Sequence, residues 1–335
     1  MPHEIATSPA GGAFTASPSD LALILREPAI ARLAEFGAIR VEGGDAVAFL
    51  QSQLTNDVTQ LGADALQLNG YCTPKGRLLA TFHQWRDGDA IVLQLPRELV
   101  GPVARRLSMF VLRSKAKLVD ASEHYATYAM FGPGSGAALR AAGVDPPAQP
   151  WVSRTTDGMH VSRLPGAPRV EERYLLTGGQ ALPAALAVLP TVASDAWWWT
   201  EIGAAIPTVF GATQEKFVPQ MINFEVLGGV NFKKGCYPGQ EIVARSQYLG
   251  KLRRRMAIGH AASGDPPAAG SDVFQGAEEQ PVGTVVMSAR APDGGVDLLF
   301  EAPVDRVASG ALRLEPGGPA FRIDPLPYEL FDPTA

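Results

Sequence analysis

The order of helical and strand-like patterns changes twice along this chain, and this order constrains the fold more than any other feature. In the first stretch AIRVEG (38–43) alternates like a strand, and Asp45 is the predicted N-cap of AVAFLQSQLTNDV, whose apolar residues keep helical spacing as far as Val58. Two strand-like runs then meet at Asp87-Gly88, a strong hairpin signal. RELVGPVARRLSMFVL and AKLVDA follow as a helix and a strand, so the pattern predicts a mixed α+β module.

From about residue 122 the order becomes strand, helix, strand, strand, helix, in the runs YATYAMFG, GSGAALRAAG, GMHVSRLP, RYLLTGG and ALPAALAVL. This order is typical of a ferredoxin-like unit. The glycines of GPGSG (132–136) lack both the Rossmann spacing and the Lys-Ser/Thr pair of a phosphate-binding loop, so they predict a plain strand-to-helix turn. After GKLRRR (250–255) short strands alternate with Gly/Pro loops, which predicts a small β-barrel.

These changes divide the chain into three predicted domains. The first is discontinuous and comprises residues 20–121 and 194–250, the second comprises 122–193, and the third comprises 251–331. Residues 1–19 are mostly small and lack the basic and apolar regions of a secretory signal, so they predict a disordered arm. A length of 335 residues accommodates two or three domains.

Composition argues against several classes of function. A formal net charge of −5 is unlike that of a general nucleic-acid binder, so no stable direct nucleic-acid binding is expected. The longest apolar run, 181–193, is too short and too interrupted by proline to cross a bilayer. The 5 histidines show no metal-ligand spacing and the 2 cysteines make no disulfide framework, so we expect no metal site and a cytoplasmic location.

One of the two cysteines lies in an unusual segment, FKKGCYPGQEIVAR. Gly235 and Gly239 permit a tight loop around Cys236, and a helix is predicted to follow. Lys233, Lys234 and the helix dipole would all favour a thiolate, so we expect the pKa of the Cys236 thiol to lie below its usual value of about 8.5. On this local chemistry a reactive thiol and a structural cysteine are both open.

The segment is also far more basic than the whole chain, because Arg245 and the arginines at 253–255 add to the two lysines. Such a patch favours anionic partners such as carboxylates and phosphates, although a charged hinge between domains would have the same composition. No general base stands out near the cysteine in sequence.

Three consecutive tryptophans, Trp197 to Trp199, lie in a helix-like run. Successive helical residues point about 100° apart, so at least one of the three should face a domain seam or a pocket. Stacking on a planar ligand and packing between domains are both open for each of them.

The cysteine segment and several further blocks resemble a known family. KKGCYPGQE is similar to the K-G-C-Y-x-G-Q-E signature of the YgfZ family, which is related to the T protein (aminomethyltransferase) of glycine cleavage. Five other blocks resemble that family's blocks in the same order, so the resemblance covers most of the chain. They are GGDAVAFLQSQLTNDV, YCTPKGRLLATF, VLRSKAK, FVPQMINFEVLGGVNF and DPLPYEL.

The resemblance implies an α+β fold of three domains in a ring, like that of the aminomethyltransferases, with a ferredoxin-like middle domain and a C-terminal β-barrel. It implies a central cavity that binds tetrahydrofolate or a one-carbon derivative of it. It also implies a role in the assembly or repair of iron–sulfur clusters in certain enzymes, and through them in tRNA modification. The implied partners are folate and iron–sulfur proteins or their assembly factors, with no membrane.

The resemblance also assigns residues. Cys236 matches the functionally critical cysteine of the family, and Trp197 matches a tryptophan that contacts folate. Other candidate functional residues match the signature: Lys234, Tyr237, Gln240 and Glu241. Further candidate folate contacts are Gln220, Asn223 and Arg245.

Two departures from the T protein bear on the chemistry. Leu79 and Ala80 stand where the T protein has an acidic pair that assists proton transfer at folate N5. Gly203 aligns with a glutamate that binds the pterin, and Glu201 lies on roughly the opposite helical face. Aminomethyl transfer is therefore not expected, and two alternatives are open: another tetrahydrofolate-dependent one-carbon transferase, or a scaffold that docks partners through its basic loop.

Overall fold

A computed structural model describes residues 11–179, 182–248 and 252–330. The helices are α1 (Pro18–Ile24), α2 (Ala46–Gln51), α3 (Arg97–Ser108), α4 (Ser135–Ala141), α5 (Asp195–Gly203), α6 (Gln240–Tyr248) and α7 (Val304–Ser309). The strands are β1 (Ala13–Phe14), β2 (Ala29–Arg32), β3 (Phe36–Glu42), β4 (Gln67–Cys72), β5 (Leu78–Asp87), β6 (Ala90–Pro96), β7 (Lys117–Asp120), β8 (Ala126–Phe131), β9 (Ser153–Thr156), β10 (Met159–Arg163), β11 (Arg173–Gly178), β12 (Arg254–Ala261), β13 (Asp272–Gln275), β14 (Gly283–Arg290), β15 (Val296–Pro303), β16 (Leu312–Arg313) and β17 (Arg322–Asp324).

The first sheet has the strand order β4-β5-β6-β3-β7. The predicted hairpin at Asp87-Gly88 joins β5 to β6, and Gly88 has a φ of 59° that favours glycine. One face of the sheet packs with α2 and α3 in one apolar cluster, and the other face joins the cluster around α5. The predicted helix after Asp45 is shorter than expected, because α2 ends at Gln51 and the chain forms a separate 3-10 turn at Val58–Gln60.

The second sheet has the order β2-β8-β11-β10-β9. The predicted turn at 132–136 is confirmed, and Gly134 precedes α4 with a φ of 85°. The predicted helix over ALPAALAVL is wrong for its described part, where residues 184–188 form turns. Prolines at 183 and 190 leave too few residues between them for a stable helix. Strand β2, from the predicted first domain, pairs with β8 in this sheet.

The third sheet has the order β16-β13-β14-β15-β12-β17, and β1 adds to β14 in parallel. Its strands alternate with turns, as the Gly/Pro loops of the C-terminal third predicted. In the described parts of the chain, no helix is long and apolar enough to cross a membrane.

The N-terminal residues correct one expectation. Residues 11–19 are part of the fold rather than a disordered arm, whereas residues 1–10 lie outside the described residues. Phe14 of β1 is 2% exposed and stacks on Trp198, with ring centroids 4.7 Å apart. The apolar side chain of Phe14 and its strand pairing explain this order, and neither has a periodic signal in so short a segment.

Helix α5 lies between the sheets, and its three tryptophans are all buried. The Nε1 atom of Trp199 donates a hydrogen bond of 2.7 Å to the Asp297 carboxylate on β15. Trp199 thereby contacts the third sheet, and the expectation that one of the tryptophans faces a domain seam or a pocket stays a prediction.

Candidate functional site

The cysteine loop, residues 233–239, lies against the turn between β4 and β5. Gly239 has a φ of 82°, and a β-carbon there would lie 2.6 Å from the backbone nitrogen of Gly76. Only glycine allows this approach without strain, which explains the second glycine of the segment. Helix α6 begins directly afterwards, at Gln240. The loop is thereby fixed to the first sheet at its C-terminal end.

Lys234 fixes the other end of the loop. Its Nζ atom donates hydrogen bonds to the backbone oxygens of Gln51 (2.6 Å), the last residue of α2, and of Leu54 (2.5 Å) and Asn56 (3.0 Å) just after it. Burial lowers the pKa of this lysine to about 8, and the nearby Asp57 carboxylate opposes that shift. The three donors of the ammonium are all engaged, so Lys234 clamps the loop onto the segment that follows α2.

Tyr237 is buried beneath the loop. The Lys234 Nζ atom lies 5.2 Å from the centroid of its ring, a cation–π contact. Burial, and secondarily the nearby Cys72, raise the pKa of the Tyr237 hydroxyl, which has no hydrogen-bond partner within the described ranges. The Tyr237 side chain therefore lies on the buried side of the loop.

The two cysteines differ sharply in environment. Cys236 is exposed, whereas Cys72 on β4 is 1% exposed and burial raises the pKa of its thiol. Lys233 and Glu241 are exposed on either side of Cys236 in sequence. The amide of Gln240 donates to the Lys234 backbone oxygen at 3.4 Å and closes the loop on itself. The reactivity of Cys236 remains a prediction, and the structure shows that this residue is accessible to solvent.

Trp197, the predicted folate contact, is 0% exposed. The Arg173 guanidinium carbon lies 4.5 Å from its ring centroid, and Phe131 makes an edge contact at 5.6 Å. A pterin could stack on this ring only if a neighbouring side chain moved. Arg173 also forms a fully buried ion pair with Glu201, which sequence reasoning missed. In the sequence, the only indication of this ion pair is an arginine at the start of the apolar run RYLLTG.

The remaining candidate folate contacts lie in the 3-10 turn at Pro219–Ile222 and its C-cap, and on the neighbouring helix α6. The Gln220 amide donates to the backbone oxygen of Val243 on α6, at 2.8 Å. The Asn223 amide donates to the backbone oxygen of Met256 on β12, at 2.9 Å. Arg245 is exposed on α6. Their contacts do not bring these side chains together with Trp197.

Leu79 and Ala80 belong to the apolar cluster between the first sheet and its helices. Both are buried, so this part of β5 provides no group that could transfer a proton. Among the described residues there is no cluster of three or more His, Cys, Asp or Glu side chains that could hold a metal ion.

Known proteins resemble this chain in sequence and in fold. No family model matches it. A protein named tRNA-modifying protein YgfZ from Shigella sonnei is 27% identical over 307 residues, which cover 89% of this chain and 92% of that protein. The protein of the same name from Enterobacter sp. is 29% identical over the same shares. The chain therefore resembles the proteins named YgfZ over 89% of its length.

The fold of this chain is also found in a solved structure. The glycine cleavage system aminomethyltransferase T from Bartonella henselae superposes with a TM-score of 0.76, covering 95% of this chain and 94% of that one, at 17% identity. The expected α+β fold of the aminomethyltransferases is confirmed by this likeness. At such low identity the likeness concerns the fold alone.

Proposed function

We propose that this chain is an accessory protein in tRNA modification that supports iron–sulfur clusters in certain enzymes, with Cys236 as its reacting residue. The observation that carries the proposal is the contrast between an exposed Cys236 in a loop fixed at both ends and a buried Cys72. The names of the sequence relatives, tRNA-modifying protein YgfZ, support the biological setting.

The construction of the loop supports a chemical role for the thiol. A thiolate is the form of cysteine that attacks electrophiles and binds metals, and it must be accessible to do either. The Lys234 clamp and the close packing of Gly239 hold Cys236 at a defined place on the surface. A large partner such as an iron–sulfur enzyme or an assembly factor could reach it there. Two unpaired cysteines also suit a reducing cytoplasm, where we place the protein.

Tetrahydrofolate enters this proposal through the family resemblance alone. In this structure Trp197 packs against Arg173, Gln220 donates to α6, which also carries Arg245, and Asn223 donates to β12. Titration of the protein with tetrahydrofolate, followed by tryptophan fluorescence and calorimetry, tests this part. Absence of binding would remove folate from the proposal and leave the role of Cys236 standing.

The transferase alternative finds no support in β5, where the side chains at the relevant positions are apolar and buried. The scaffold alternative requires partners to bind independently of the thiol. Both alternatives are separated from the proposal by the behaviour of a cysteine variant.

The test is genetic complementation of a strain that lacks the gene. Wild type, Cys236→Ser, Cys72→Ala and Lys233→Ala are compared at equal protein abundance. The readouts are the activity of iron–sulfur enzymes and the tRNA nucleosides that depend on them, measured by mass spectrometry. We expect Cys236→Ser to fail and the two control variants to restore both readouts. Full rescue by Cys236→Ser would exclude thiol chemistry and favour the scaffold.

A further inference from the structure

An apolar tip protrudes from the surface between α3 and β7. It consists of Met109, Phe110 and Leu112, which are 65%, 45% and 88% exposed. The sequence predicts that α3 continues through these residues, but the helix ends at Ser108. The described ranges contain eight exposed large apolar residues, and three of them lie within these four positions. Such clustering marks an interaction site more often than scattered exposure does.

The loop that carries the apolar tip is held in a defined conformation. Backbone hydrogen bonds join Phe110 to Leu107 (2.9 Å) and Ser114 to Val111 (2.8 Å). Leu112 has a φ of 47°, a left-handed conformation that costs a non-glycine residue about 1 kcal/mol or more. The Leu112 side chain is 88% exposed in this conformation.

The base of the loop is fixed to the N-terminus of α2. The backbone N–H of Lys115 donates a hydrogen bond to the Asp45 carboxylate at 2.6 Å, and the backbone N–H of Asp45 donates to the Lys115 backbone oxygen at 3.1 Å. This reciprocal pair joins the loop to the N-terminus of α2. The apolar tip is therefore displayed from a rigid base.

The surroundings of the apolar tip are strongly basic. Residues 105–117 contain five arginine and lysine residues and no acidic residue, in a chain of net charge −5. Four of the five are exposed: Arg105, Arg113, Lys115 and Lys117. A matching partner surface is therefore acidic, with apolar groups for the tip.

The neighbouring strand β7 offers a third element of recognition. Among the described strands, β7 pairs only with β3 and so forms an edge of the first sheet. An edge strand presents backbone N–H and C=O groups that an extended polypeptide can complete by adding a strand. Neither lipid hydrocarbon nor RNA offers that complement.

We propose that the apolar tip and the β7 edge together form a docking surface for an extended acidic segment of another protein. Carboxylates of that segment pair with the exposed lysines and arginines, its apolar side chains contact the tip, and its backbone extends the sheet. A second copy of this chain is a poor occupant, because a symmetric contact would bring the two basic loops together. The surface is separate from the cysteine loop, so the inference does not rest on the proposed function.

The test is selection from a random peptide library displayed on phage, with the whole chain as bait. Phage that also bind the double variant Phe110→Ser/Leu112→Ser are removed first. Selected peptides should combine Asp or Glu with apolar residues and bind the double variant at least tenfold more weakly than wild type. Their binding should weaken with salt and slow amide hydrogen exchange in β7.

A matched control carries the same chemical change elsewhere. Val188 and Val304 are 82% and 45% exposed, so Val188→Ser/Val304→Ser removes comparable apolar surface. This control should bind the selected peptides like wild type, and both double variants should keep the thermal midpoint of unfolding within about 2 °C.

Four results would overturn the proposal. The first is a library that yields no peptide dependent on the apolar tip, and the second is a selection of basic or uncharged peptides. The third is tip-dependent binding of bulk tRNA, or of vesicles of phosphatidylcholine and phosphatidylglycerol, in place of acidic peptides. The fourth is self-association in sedimentation that the double variant abolishes.

Discussion

Replacement of Lys234 by methionine tests whether its ammonium clamps the cysteine loop. The ammonium donates to three backbone oxygens at 2.6, 2.5 and 3.0 Å. Hydrogen bonds from a charged donor each contribute about 1.5–3 kcal/mol. Methionine has a similar length but no donor, so three acceptors lose their partner. Local relaxation and the removal of a buried charge offset part of this, so we expect the free energy of unfolding to fall by about 2–5 kcal/mol.

The assay is equilibrium unfolding in urea at pH 7. The preceding residue provides the control, because Lys233 is exposed and its replacement by methionine should change the free energy of unfolding by less than about 0.5 kcal/mol. The difference between the two variants isolates the clamp from the general effect of losing one positive charge.

A second readout separates the clamp from a direct role of Lys234 beside the thiol. If its charge stabilised the Cys236 thiolate, Lys234→Met would slow alkylation of Cys236 while leaving the free energy of unfolding close to that of wild type. A loss of stability no larger than that of Lys233→Met would refute the clamp.

Four further results are expected. Iodoacetamide should alkylate Cys236 faster than the buried Cys72 in the folded protein, and equal rates by mass spectrometry would contradict this. Gly239→Ala should lower the free energy of unfolding by about 1–4 kcal/mol, measured in urea, and Gly235→Ala, which meets no neighbour within 4 Å, by much less. Burial lowers the pKa of Lys234 from 10.5 to about 8, so the folded state loses this proton first. The free energy of unfolding, measured in urea, should therefore rise from pH 8 to pH 10.5 more steeply in wild type than in Lys234→Met, and parallel profiles would count against it. Aminomethyl transfer from a lipoyl carrier protein to tetrahydrofolate should stay at background, and ammonia release at an enzymatic rate would show otherwise.

Local periodicity predicted most elements of the fold because the forces behind it are local. The hairpin at Asp87-Gly88, the strand–turn–helix at 132–136 and the helix of the three tryptophans all form. Two helices were predicted to be longer than they are, after Asp45 and after Arg97. In both cases apolar residues follow the end of the helix. Beyond α2 they are packed in turns, as at Leu54 and Val58, and beyond α3 they are exposed, as at Leu112.

The contacts of the site could not be predicted in this way, because they join distant parts of the chain. The oxygens that accept from Lys234 lie 178 to 183 residues away, and they are backbone atoms that every residue carries. The same holds for Trp197, since only the folded chain brings Arg173 over its ring. A motif in sequence identifies which side chains are special and leaves open what they touch.

The cysteine segment shows how neighbours in sequence can separate in space. Lys233, Gly235 and Cys236 are exposed, whereas Lys234 and Tyr237 are buried. The Lys234 ammonium donates to carbonyl oxygens on the inner side of the loop, and the expectation that both lysines favour a thiolate at Cys236 stays a prediction. Lys233 is the lysine of this pair that remains on the solvent side with Cys236. The hydrogen bonds of Lys234 support a role for this signature residue in positioning the loop, and the alkylation of Lys234→Met tests whether it also acts at the sulfur.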